Sequence, residues 1–446
     1  MRLRSLCSAA CPVLFAACVT APPPAAPPVE IAVLPAPPAE PPTRLEPREW
    51  TPRSPATEIA AWARQGCARA EEGKQPCLER ALVGLLDQAG VARTMEVLDT
   101  LAATDPEVFT NGHPLAHGLG ISAYRSPETV AATFAACPTS QMSGCQHGVI
   151  QGYFLDAARQ GRPIGRDQVD GLCAPHLSVY FVFYHCVHGM GHGLMAFYGN
   201  HLPSALAACG QASEETVREN CYGGAFMENV IGATHPHHSA GGHAQTQVDG
   251  HGAHGEAHGG AGHASRHGEW KALDPADPHY PCNTFDARYQ DACYSMQPSA
   301  IMFHNGGDVA ATARACDTAP ADVRGTCFVS LGREITAFAV QDHGRTIEMC
   351  GRVGGAGGGR GALWCLLGAV GTLMNQSADP QDGIRFCRAL QDAAFKRDCY
   401  RSVGELVAKL VSGTRARGER CEAAEPEFVL ACRRGAGIEP SGRDEE

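Results

Sequence analysis

Between Ser126 and Gly161 the chain reads SPETVAATFAACPTSQMSGCQHGVIQGYFLDAARQG, and its apolar residues recur at the spacing of a helix, not in the alternation of a strand. Ser126 and Pro127 supply an N-cap and a first-turn proline, CPTS interrupts the first helix, and a second helix is predicted from near Cys145 to Gly161. The unit is helix, short break, helix. A hairpin of this size buries little apolar surface alone and requires neighbours of its own kind.

The cysteines locate those neighbours. Three of the 21 lie in the first 18 residues. The others form nine local couples: Cys67 and Cys77, Cys137 and Cys145, Cys173 and Cys186, Cys209 and Cys221, Cys282 and Cys293, Cys316 and Cys327, Cys350 and Cys365, Cys387 and Cys399, Cys421 and Cys432. First members at 137, 173 and 209 are 36 residues apart, and those at 282, 316, 350, 387 and 421 are 34 to 37 apart. Two intervals are doubled. One holds a unit without cysteines, VLDTLAATDPEVFTNGHPLAHGLGISAY, and the other a histidine-rich run. Such self-similarity marks a repeat array. Residues 57–435 are therefore expected to form an all-α solenoid of about ten helix-hairpin repeats of period near 36, each cysteine couple forming a disulfide from the end of one helix to the start of its partner. No CxxC occurs, which disfavours thiolate zinc sites and excludes haem c attached through CxxCH.

The segment ACPTSQMSGCQHG, with seven residues between Cys137 and Cys145, and the period near 36 resemble the secreted cysteine-rich α/α-hairpin repeat proteins, disulfide-bearing relatives of tetratricopeptide repeats. The resemblance covers about residues 57–435 and concerns architecture. It implies a superhelix with a concave binding face.

The N-terminus sets the compartment in which these cysteines are read. MRLRSLCSAACPVLFAACVT has two arginines, an apolar stretch and small residues before Cys18, the form of a bacterial secretory signal over residues 1–17. LFAAC reads as a lipobox, with Phe15 where leucine is usual, so Cys18 is the expected lipid attachment residue; cleavage at an AxA-like site is the alternative. Residues 18–56 are so rich in proline that they should form a semi-rigid tether. Residues 436–446 read as a disordered tail. The expected location is a bacterial membrane, anchored through lipid, facing the periplasm or exterior.

Candidate chemistry lies in the histidines. Aligned on the second cysteine of each unit, His147 and His188 fall two residues beyond it, and placing Asn111 in the cysteine position adds His113. Six beyond come His117, Gln151 and His192. Spacing of i to i+4 puts both positions on one helical face, so stacked units would line up a ridge of imidazoles suited to zinc, copper or nickel. Further along the ridge come Glu228, Asn229, His304, Asn305 and Glu334 as weaker oxygen or nitrogen donors. His176, His185, His201, His279 and His343 fall outside the register and read as structural; Met190, Met195 and Met227 lie close to the ridge, where thioether ligands would favour copper(I), but at helical spacing they read as core. The histidine-rich run, with His235, His237, His238, His243, His251, His254, His258, His263 and His267, has almost no large apolar residue; over residues 235–267 it is expected to be a disordered loop that captures metal loosely.

Three functions fit this reading. The first is a metal-binding lipoprotein. The second is a solenoid that binds a protein partner of the cell envelope, its histidines incidental. The third is a metal-dependent enzyme in which His113, His117, His188 and His192 hold the ion and Glu228 assists as base. No HExxH, GxSxG or kinase signature occurs, and GRVGGAGGGRG lacks the lysine and hydroxyl residue of a phosphate loop. The net charge of -11 disfavours nucleic acid.

Overall fold

The structure, a computed structural model, describes residues 51–71, 73–234, 270–353 and 359–438. The expected signal peptide, Cys18, nearly all of the proline-rich tether, residues 439–446 of the tail and all nine histidines from His235 to His267 lie outside the described residues.

Among the described residues there are twenty α-helices and no strand, so the chain is all-α as expected. They follow in pairs: α1 (Ala56–Cys67) and α2 (Lys74–Ala89), α3 (Val91–Thr104) and α4 (Pro106–Ala123), α5 (Val130–Ala136) and α6 (Gly144–Arg159), α7 (Arg166–Gly171) and α8 (Tyr180–Phe197), α9 (Leu202–Cys209) and α10 (Glu215–Thr234). After the histidine-rich run come α11 (Ala287–Tyr294) and α12 (Gln297–His304), α13 (Val309–Thr318) and α14 (Arg324–Phe338), α15 (His343–Val353) and α16 (Gly361–Ser377), α17 (Pro380–Ala389) and α18 (Ala393–Leu410), α19 (Thr414–Cys421) and α20 (Val429–Gly435). Local sequence explains their ends. Asp105, Asp308, Asp379 and Asp392 each accept a backbone N–H at a helix start, and Pro106 and Pro380 occupy first-turn positions where no N–H is required.

All nine cysteine couples are bridged as expected, with Cα–Cα separations of 5.5 to 5.7 Å. The unit after the histidine-rich run departs from the hairpin form. Its first half is a run of turns ending at Thr284, and Pro298 divides what would be its second helix into α11 and α12. Trp270 Nε1 donates to Asn229 Oδ1 and Asn229 Nδ2 donates to the Ala272 carbonyl, which seats the returning chain on α10.

The second helices α4, α6, α8 and α10 pack side by side, as do α14, α16, α18 and α20. The later half then returns to the earlier one. Helix α16 packs on the turn Gln141–Ser143, α18 packs on α8, and Gln376 Nε2 donates to Gln141 Oε1 at 3.2 Å. The histidine-bearing part of the second-helix face is therefore covered. His117, His147, His188 and His192 are only 7%, 2%, 5% and 0% exposed. None of the described helices is long and apolar enough to cross a membrane.

Candidate metal centre

Close helix contacts establish the register of the centre. A Cβ on Gly148 would lie 2.0 Å from the His117 carbonyl oxygen, and one on Gly224 would lie 1.9 Å from that of His188. Only glycine permits this approach. The same contact pairs Gly368 with Val329 and Gly435 with Arg401. In each pair whose two units carry cysteines, a glycine three residues past the second cysteine meets the residue two past the preceding second cysteine. By this contact His117 is the equivalent of His147 and His188, and His113 stands one turn earlier. The expected alignment, which matched His113 with those two and His117 with His192, is displaced by one turn because that unit has no cysteine to anchor it.

The displacement brings the histidines closer together. His117 Nε2 lies 3.2 Å from His113 Nε2 and 3.2 Å from His147 Nδ1. The three ligand atoms all lie within 4.8 Å of one another. Three nitrogens about 2.0–2.1 Å from a tetrahedral ion stand roughly 3.3 Å apart. The His113–His117–His147 triad could therefore hold a metal ion.

Each of these rings has its other nitrogen occupied. His113 Nδ1–H donates to the Gln141 carbonyl at 2.7 Å, so its Nε2 carries a lone pair. That carbonyl is aimed by a turn in which Gln141, Met142 and Ser143 all take left-handed conformations, with φ of 52°, 50° and 59°. Three such non-glycine residues in sequence are strained, and the short Cys137–Cys145 loop and the α16 contact hold them there. Gln151 Oε1 faces His117 Nδ1 at 3.4 Å, and His147 Nε2 lies 3.0 Å from His185 Nδ1. With hydrogen donated outward on all three rings, three lone pairs face inward. A shared proton satisfies one contact at a time, whereas a cation accepts all three.

Burial keeps the rings neutral. It pushes His113 down to about 4 and His185 to about 3, and it holds His117, His147 and His188 well below the ordinary histidine value, with neighbouring imidazoles adding to each depression. Neutral imidazole is the form that binds metal.

The other candidates are distributed differently. His188 and His192 join the cluster, with ring centroids 5.1 Å apart; His192 stands 4.8 Å from His117 and its Nδ1 lies 2.8 Å from Glu228 Oε2. Glu228 is buried beside them. His304 lies elsewhere, lining a cavity of about 400 Å³ with Asp274, Arg314 and Thr318. Glu334 accepts from Arg333 and Ser299, and Asn305 caps the loop into α13, so neither serves the cluster. His185, read as structural, supports His147 directly. Its signal was present: 185, 188 and 192 are spaced i, i+3, i+7, one stripe of a helix. No family model matches this chain, and no curated protein or solved structure shows significant similarity to it.

Proposed function

We propose that this is an exported, lipid-anchored protein that binds a transition metal of the zinc, copper or nickel group at His113, His117 and His147. The observation that carries the reading is the convergence of three neutral imidazoles, two buried and His113 partly buried, whose outer nitrogens are already paired. Support for export comes from nine disulfides, which persist in oxidising compartments, and from the signal-like N-terminus with Cys18 in a lipobox-like context. The histidine-rich run would gather ions weakly, since a glycine-rich segment must be ordered as it binds, and the buried triad would retain them. Elemental analysis of protein purified without an affinity tag tests this. Wild type should hold metal through dialysis against a weak chelator, and His113→Gln with His117→Gln should lose it while keeping its helical content. Equal metal in both proteins would refute the reading.

A further inference from the structure

Three observations on the far side of the cluster remain unexplained by the triad. The first concerns His192. Its Nδ1–H is committed to Glu228 Oε2 at 2.8 Å, which leaves a lone pair on Nε2; that nitrogen is fully buried and has no hydrogen-bond partner among the described residues. The second is charge. Glu228 is 3% exposed, and among the described residues its Oε1 has no hydrogen-bond partner while Oε2 is paired with the His192 ring. A buried carboxylate requires positive charge nearby. The third is the thioether of Met227, whose Sδ lies 3.5 Å from His188 Nε2. Two ligands at about 2.0 Å (nitrogen) and 2.3 Å (sulfur) from one tetrahedral ion stand roughly 3.5 Å apart.

We infer that the cluster has a second cation position, formed by Met227 Sδ, His188 Nε2 and His192 Nε2, with Glu228 orienting His192 and supplying the balancing charge, and that it takes copper(I). This rests on the reading of the cluster as a metal centre and deepens it. A thioether beside imidazoles is a soft donor set, which selects copper(I) over zinc. The His192 ring lies 5.1 Å from His188 and 4.8 Å from His117, so it stands between the two ligand sets. Glu228 in this role is the carboxylate partner that metal-bound histidines commonly have.

The test uses the full chain loaded with copper(I) under ascorbate and dialysed against a chelator of intermediate strength. X-ray absorption then reports the ligands. Residues 235–267 contain neither methionine nor cysteine, so copper held there adds no sulfur signal. Wild type should retain two coppers per chain with one sulfur scatterer between them. Met227→Leu, which keeps the packing volume, should lose the sulfur signal and one copper. His192→Gln should lose the sulfur-bound copper, and with it the sulfur signal, although Met227 is unchanged. His113→Gln with His117→Gln should lose the nitrogen-only copper and keep the sulfur-bound one. A nitrogen-only spectrum in wild type, or a sulfur signal that survives Met227→Leu, overturns the second position. A single copper that is lost from the His113, His117 double variant and unaffected by Met227→Leu overturns it while leaving the triad standing. No retained copper overturns both.

Discussion

Gly148→Ala should damage stability and metal binding together, because one contact serves both. The added Cβ would meet the His117 carbonyl oxygen at 2.0 Å, the Gly120 Cα at 2.9 Å and the His117 carbonyl carbon at 2.9 Å. Real contacts of this kind do not fall below 3.0 Å, so α4 and α6 must separate by about 1 Å or more. The obstacle is backbone, which has no rotamer to yield, so the cost belongs at the upper end of overpacking, about 2–3 kcal/mol. His117 and His147 sit on opposite sides of this contact with nitrogens 3.2 Å apart. Widening the gap stretches that pair, and affinity should fall on the order of 10- to 100-fold, the scale seen when the support of a ligand is removed. Gly84→Ala is the control: it lies inside α2, and a Cβ there meets nothing within 4 Å. It should stabilise by roughly 0.5–1 kcal/mol, through helix propensity alone. Guanidinium unfolding under non-reducing conditions, with metal titration calorimetry on the same samples, measures both quantities. If Gly148→Ala unfolds with wild type and binds metal equally well, the close-contact account of the centre is wrong.

Metal-free protein should lose stability as pH falls. Unfolded histidines take up protons below about 6.5 while His113 stays neutral to about 4, so this residue alone removes about 3 kcal/mol between those values, and a denaturation midpoint unchanged from pH 7 to 5 would contradict it. His185→Phe preserves a ring but deletes the acceptor of His147 Nε2; metal affinity should drop about 10- to 100-fold with the stoichiometry unchanged. Cys18→Ser should release the protein from the membrane fraction and abolish labelling by a fatty-acid analogue, and persistent membrane association would remove the lipid-anchor proposal.

The hairpins and their staples were legible in the sequence because their signals are local. Cysteines 8 to 15 residues apart can bridge only across the break between neighbouring helices, and Asp–Pro or Ser–Pro starts mark where helices begin. The one unit whose form was misjudged, residues 270–304, still carries its cysteine couple, but Pro298 and the turns before Thr284 override the repeat. Cysteine spacing reports which segments are tied and says little about whether each is helical.

Two features of the centre depended on information that no single segment carries. The register of the cysteine-less unit is decided by which carbonyl receives the glycine of the next helix, a contact between residues 117 and 148. Closure of the array depends on Gln141, which joins three distant parts: its carbonyl accepts from His113, its amide donates to Asp99 at 2.8 Å, and its side-chain oxygen accepts from Gln376. The tautomers that point lone pairs inward are thus set by residues from α3, α6, α8 and α16 acting through four different units. An isolated hairpin cannot reproduce them, since each ring's partner lies in a neighbouring unit. Metal affinity and assembly of the array are then one linked equilibrium: an ion that binds only the assembled form stabilises it by mass action, about 2.7 kcal/mol at a hundred times its dissociation constant, and the same ion should bind the unfolded chain far more weakly.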